Sequence, residues 1–125
     1  MARILGKRPT LQRTEKEMKR GTLIWVALGD TYPPEMGKTR PAVVISNTEQ
    51  NEILSTLVVI PLSSQAPEIW PLRVKLKSKS KLKTSYAVIP GIRQVSKSRI
   101  SNEIGFLSEV ELSKLKNALD VYLMD

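Results

Sequence analysis

The chain has 125 residues, 20 Lys/Arg against 12 Asp/Glu for a net charge of +8, and 41% hydrophobic and 26% charged residues. That balance belongs to one folded domain and excludes global disorder. The absence of cysteine and histidine excludes disulfides, thiolate nucleophiles, His- and Cys-based metal sites and a Ser-His-Asp triad. Catalysis is left to Arg, Lys, Glu, Asp, Tyr, Ser or Thr. The longest apolar runs, such as 57–62, fall far short of the ~20 residues that span a bilayer. No apolar stretch of signal-peptide type follows the first basic residues, so a cytoplasmic protein is expected.

Residues 1–18 read as a basic extension. Thr10 has the chemistry to cap a short helix reaching Glu17, but Leu11 and Met18 give such a helix little to bury. A domain is expected over 19–125. Leu23-Ile24-Trp25-Val26-Ala27-Leu28 reads as a buried strand with Trp25 in the core, and 29–37, with Pro33-Pro34, as a loop. Pro41-Ala42-Val43-Val44-Ile45-Ser46 and Thr56-Leu57-Val58-Val59-Ile60-Pro61 are β-branched strands joined through the polar stretch 47–52. Over 72–77 the pattern alternates, with Leu72, Val74 and Leu76 to one face and Arg73, Lys75 and Lys77 to the other.

A lysine-rich loop carrying Lys79, Lys81 and Lys83 follows. Tyr86-Ala87-Val88-Ile89 is the next strand, interrupted by Pro90-Gly91 and resumed over 92–95. At the end, Ser108 with Glu111 predicts a capping box, and Leu107 with Leu112 a hydrophobic staple. Leu112, Leu115, Leu119 and Tyr122 would form the buried face of that helix. Short strands followed by one capped helix predict a mainly β fold, a small barrel or curled sheet with a helix packed on it.

The charge is uneven. Residues 71–100 hold nine basic side chains and no acidic one, whereas 101–125 hold two against five. A block this concentrated fits a polyanion partner, and equally a solvated edge strand whose lysines discourage aggregation.

Gly21-Thr22-Leu23-Ile24-Trp25-Val26, followed by Glu35-Met36-Gly37-Lys38-Thr39-Arg40-Pro41-Ala42-Val43-Val44-Ile45-Ser46-Asn47, resembles the opening of MazF/PemK (Kid-type) toxins. Ile60-Pro61-Leu62-Ser63-Ser64 resembles that family's strand end. Ile92-Arg93-Gln94-Val95-Ser96-Lys97-Ser98-Arg99-Ile100 resembles its basic turn, and Ile104-Gly105-Phe106-Leu107-Ser108 leads into a final helix as it does there. The resemblance covers roughly 19–125. It implies an SH3-like β-barrel with a C-terminal helix, working as a homodimeric endoribonuclease of a type II toxin–antitoxin pair. Such an enzyme cuts single-stranded RNA without metal or cofactor, leaves a 2′,3′-cyclic phosphate and a 5′-hydroxyl, and is neutralised by an acidic MazE-like antitoxin over the same basic groove.

The residue chemistry is compatible. Cleavage by a 2′-hydroxyl needs a base, an acid for the departing oxygen and positive charge on the phosphorane. Arg40 offers a planar fork for two phosphate oxygens. Ser63, at the family's active-site Thr, can donate to the same phosphate, and Glu35 is the nearest carboxylate in sequence to act as base. Alternatively Arg40 and Glu35 form a surface ion pair and Ser63 merely ends its strand. Candidate RNA contacts are Lys38, Thr39, Ser64, Arg73, Lys75, Lys77, Arg93, Lys97 and Arg99. Trp70, between Pro67 and Pro71, could stack on a base or pack over the barrel end. Where family members carry Asp-Gln before the basic turn, this chain has Pro90-Gly91. That departure keeps a second reading open, a nucleic-acid-binding module or CcdB-like gyrase inhibitor without nuclease activity.

Overall fold

A computed structural model describes residues 18–29, 38–77 and 84–124. The expected extension, Glu35 with its loop, and the lysine loop 78–83 lie outside them. The strands are β1 (Thr22–Ala27), β2 (Thr39–Val44), β3 (Thr56–Ser63), β4 (Arg73–Leu76), β5 (Ser85–Val88), β6 (Arg93–Ser96) and β7 (Ile100–Phe106). Helix α1 (Thr48–Ile53) joins β2 to β3, and α2 (Glu109–Leu123) ends the chain. Strand order is β4-β5-β3-β2-β1-β7, with β6 added on β3, and every ladder is antiparallel. The mainly β expectation with a C-terminal helix holds.

The apolar runs of β1, β2 and β3 do not alternate because both sheet faces are covered. On one side Leu23, Val43, Ile60, Leu62, Val74 and Ala87 meet Leu115 and Ala118 of α2. On the other, Ile24, Val26, Ala42, Val44, Leu57, Val59 and Val95 pack together inside the curl. The β1–β7 ladder shifts register twice, between Leu23 and Ile24 and between Trp25 and Val26. Such bulges bend a strand and deepen its twist, which folds β7 and the adjoining β6 back toward the rest of the sheet.

Several expectations change. The polar stretch after β2 is helix α1: Asn47 caps it by accepting from the N–H groups of Glu49 and Gln50 at 2.9 and 3.3 Å. Asn51, buried, donates to the carbonyls of Met18 and Ser46 and accepts from Ser46 Oγ. Residues 100–106 form a strand on β1, and 104–108 runs from its end into the final helix as expected. Trp25 is only half-buried, because its neighbours Pro41 and Asn102 lie one pleat beyond the Leu23–Val43–Ile60 row that α2 covers. Leu72 precedes β4 in a turn and is exposed, so the alternating strand begins at Arg73.

At α2 the cap is half of what the sequence predicts. Ser108 Oγ accepts from the Glu111 N–H at 3.2 Å, but the Glu111 carboxylate turns away and accepts from the Lys77 N–H at 3.0 and 3.1 Å. Leu107 and Leu112 both pack on the α2-side core, as a staple requires. Leu115 and Ala118 form the buried stripe with Leu112 and Leu119 beside it, while Tyr122 is exposed.

Glu111 therefore serves an edge strand. The Lys75 N–H donates to Glu68 Oε2 at 3.1 Å, and Lys114 Nζ donates to the Lys75 carbonyl at 3.1 Å. Lys114 and Glu68 also pair at 3.8 Å, both part-exposed, which is worth at most about 1 kcal/mol. These side chains occupy the outer edge of β4, where another strand would otherwise add. Among the described residues no helix is long and apolar enough to cross a membrane.

Candidate active site

Register places the motif residues. Val43↔Ile60 and Ala42↔Pro61 are the last pairs toward the start of β2; Arg40 precedes Ala42 by two residues and Ser63 follows Pro61 by two, both beyond the end of that ladder. Ser63 is paired with Tyr86 on β5, and Tyr86 with Lys75 on β4. Directly opposed residues share a face, with neighbours about 5 Å apart. Leu62, Ala87 and Val74, one step away on each strand, lie in the α2-side core. Alternation therefore turns Ser63, Tyr86 and Lys75 to the opposite face. Arg40 shares that face, being in phase with Ala42 and Val44 of the other core. The result is a cross-strand row Ser63–Tyr86–Lys75, with Arg40 in phase on the same face of β2, Arg73 on the same face of β4 and Lys77 in phase just past its end.

The row is polar at its centre. Ser63 Oγ accepts from the Gln65 N–H at 3.0 Å, so the hydroxyl also shapes the strand end, and its proton remains to be donated. Ser63 and Arg40 are half-buried, and Ser64 and Thr39 exposed. Arg40 is engaged within the protein rather than loose in solvent. Tyr86 is 8% exposed and belongs to neither apolar cluster. In the sequence it is one more strand residue. Only the pairing with Ser63 and Lys75 brings it to this face.

In the basic turn two arginines also hold the fold. Arg93 Nη1 donates to the Leu28 carbonyl at 3.3 Å, and Arg99 Nη1 donates to the Ala27 carbonyl at 3.2 Å. Both guanidinium groups hold the end of β1. Gly29 has a φ of +78°, in the left-handed region that glycine enters without steric cost. Across this hairpin base the Leu28 N–H donates to the Lys38 carbonyl at 2.9 Å. Lys38, with a φ of 64°, is in the left-handed region although it is not glycine, a backbone cost of about 1–2 kcal/mol just ahead of Arg40. The arginines thus secure the strand ends from which Lys38, Thr39 and Arg40 emerge. Lys97, half-buried, precedes Arg99 in a single 3-10 turn (Lys97–Arg99).

Pro90-Gly91 form part of another 3-10 turn, Ile89–Gly91. Pro90 is exposed, and a Cβ on Gly91 would lie 2.9 Å from Pro61 Cγ. The turn thus packs on Pro61, two residues from Ser63. Trp70 is 48% exposed, with Ile69 and Leu72 beside it in the β3–β4 loop. Among the described residues no three His, Cys, Asp or Glu side chains gather as a metal site would need. A shallow groove of about 460 Å³ lined by Glu109, Val110, Ser113, Lys114 and Asn117 lies on α2, away from the row.

Comparison with known proteins agrees with the motif reading. Residues 19–123 match the family model of the PemK-like, MazF-like toxin of type II toxin–antitoxin systems. The chain is 30% identical over 109 residues to an endoribonuclease MazF of Staphylococcus saprophyticus, covering 85% of this chain and 91% of that protein. The fold is similar to a crystal structure of MazF from Deinococcus radiodurans, with a TM-score of 0.76 and 21% identity over 87% of this chain and 98% of that one. It is also similar to a MazE–MazF crystal structure from that organism, with a TM-score of 0.71, 21% identity, and 87% and 97% covered.

Proposed function

Because this chain belongs to the PemK-like, MazF-like toxins of type II toxin–antitoxin systems, we propose that it cuts single-stranded RNA in the cytoplasm by metal-independent transesterification. The reading is supported by Arg40 and Ser63 being in phase on one sheet face, each two residues beyond the last β2–β3 pair, Ala42↔Pro61. Arg40 clamps two non-bridging oxygens of the scissile phosphate with its fork of donors and stabilises the phosphorane charge. Its permanently charged guanidinium makes it an electrostatic group rather than a base. Ser63 donates its remaining hydroxyl proton to the same phosphate. Glu35 takes the proton of the attacking 2′-hydroxyl. The products are a 2′,3′-cyclic phosphate and a 5′-hydroxyl. Lys38, Thr39, Ser64, Arg73, Lys75 and Lys77 line the strand on either side of that phosphate. Arg93, Lys97 and Arg99 of the basic turn add further contacts to the RNA phosphates.

The same reading makes the fold an SH3-like barrel, closed where β6 passes into β7, and makes the working unit a homodimer. An acidic MazE-like antitoxin covers the basic face. A second reading, RNA binding without cleavage, draws on Pro90-Gly91, which put no carboxylate or amide beside Pro61.

The test is incubation of the purified protein with a long single-stranded RNA in EDTA. Cleavage that persists, with cyclic-phosphate ends, is expected, since the chain has no His or Cys to hold a catalytic metal. Activity lost on chelation and restored by a divalent ion overturns the mechanism. Retention of RNA with no cleavage in either condition favours the second reading.

A further inference from the structure

We propose that Tyr86 is a catalytic residue, the acid that protonates the departing 5′-oxygen; the inference rests on the ribonuclease reading. Four observations meet at this side chain. Tyr86 is opposite Ser63 on one side and Lys75 on the other. It is therefore next in the row to the groups that hold the scissile phosphate. It is 92% buried by its 8% exposure, on the sheet face opposite the α2-side core that holds its neighbour Ala87. Among the described residues nothing hydrogen-bonds its hydroxyl, although a buried phenol ordinarily finds a partner. Finally, the chain contains no histidine, and Pro90-Gly91 supply no acid.

The chemistry requires such a group. The 2′-oxygen bonds to phosphorus as its proton passes to the base, and the P–O5′ bond breaks with its electron pair on O5′. That alkoxide is far more basic than water tolerates and must be protonated as it leaves. The Tyr86 O–H supplies the proton. The phenolate it becomes has Lys75 beside it and Arg40 on the far side of Ser63, and solvent returns the proton after the product departs.

The experiment is single-turnover cleavage of two RNA oligonucleotides, one with the ordinary 5′-oxygen at the scissile linkage and one with a 5′-bridging sulfur, a leaving group that needs no proton. Tyr86→Phe should slow the oxygen substrate by at least ~100-fold, leave RNA affinity within about twofold, and cut the sulfur substrate at nearly the wild-type rate. Equal loss on both substrates, or no loss on either, overturns the role of Tyr86. Wild-type protein that cuts neither substrate overturns the ribonuclease reading itself. Should Tyr86→Phe fold poorly, 3-fluorotyrosine at this position keeps the volume and lowers the phenol's pKa. The alkaline limb of the pH–rate profile should then move to lower pH, and an unmoved limb counts against the proposal.

Discussion

On the face covered by α2, Leu23, Val43, Ile60, Leu62 and Ala87 pack against Leu115 and Ala118, and the rows lose their cover only beyond Leu23, at half-buried Trp25. On the opposite face the apolar packing of Ile24, Val26, Ala42 and Val59 stops short of the strand ends, and Arg40, Ser63, Tyr86 and Lys75 follow in their place. Adjacent residues of one strand thus serve opposite purposes: Leu62 and Ser63 on β3, Ala87 and Tyr86 on β5, Val74 and Lys75 on β4. The pleat separates stability from chemistry by a single residue step.

The largest effect that tests this separation is on the covered face. Leu115→Ala, at a fully buried position, should cost about 2–5 kcal/mol in urea unfolding while RNA cleavage per folded molecule stays unchanged. A parallel loss of activity would show that the two faces do not work independently. On the opposite face Arg40→Ala should lower cleavage by about 10²–10³-fold, roughly 2.7–4 kcal/mol of transition-state stabilisation, with little change in melting temperature. Arg40→Lys should recover only part, since a point charge cannot reproduce bidentate geometry. A near-wild-type rate for Arg40→Ala would move the site elsewhere.

Between the two stands Gly91, whose added Cβ would lie 2.9 Å from Pro61 Cγ. Gly91→Ala should therefore cost about 1–3 kcal/mol by overpacking, read in the same unfolding experiment. A glutamine there would meet the same obstacle. Pro90→Asp alone, at an exposed position, is the better way to restore the family's carboxylate, and a changed cleavage-site spectrum at similar rate would mark a positioning role for it. The smallest effect concerns β4. Replacing Lys75 and Lys77 with Ser should flatten the log–log salt dependence of RNA affinity by about 1.4, about 0.7 per phosphate contact on a single strand. Their backbone N–H groups stay on Glu68 and Glu111, so stability should hold within about 0.5 kcal/mol. An unchanged slope would leave these lysines as solvated edge.

What could be read early were features whose cause is local. The β-branched runs became β1, β2, β3 and β5 because both faces of such strands bury. Ser108 became a cap because it precedes the first N–H groups of α2. The motif around Arg40 and Ser63 identified the family because those residues stand in a distinctive order. Helix α1 escaped because its six residues carry no amphipathic period; it is fixed by Asn47 and by Asn51 reaching Met18 and Ser46. Strand β7 escaped because Ser101, Asn102 and Glu103 look like loop, and only pairing with β1 and its two bulges makes them strand. Glu111, in capping-box position, gave its carboxylate to Lys77 across the fold, a choice no local spacing encodes.

The sequence by itself determined the chemistry available to this protein, the order of most of its strands and the residues that mark its family, since composition, periodicity and caps act over a few residues. Tertiary structure alone decided which side chains stand together. Ser63 meets Tyr86 and Tyr86 meets Lys75 only through interstrand register, a property of residues 23 and 11 positions apart in the chain. Arg93 and Arg99 likewise hold the end of β1 from 65 and 72 residues away. Hydrogen bonds at such separations depend on how the sheet curls, and the curl depends on bulges and on what α2 covers, neither of which is written in any one segment.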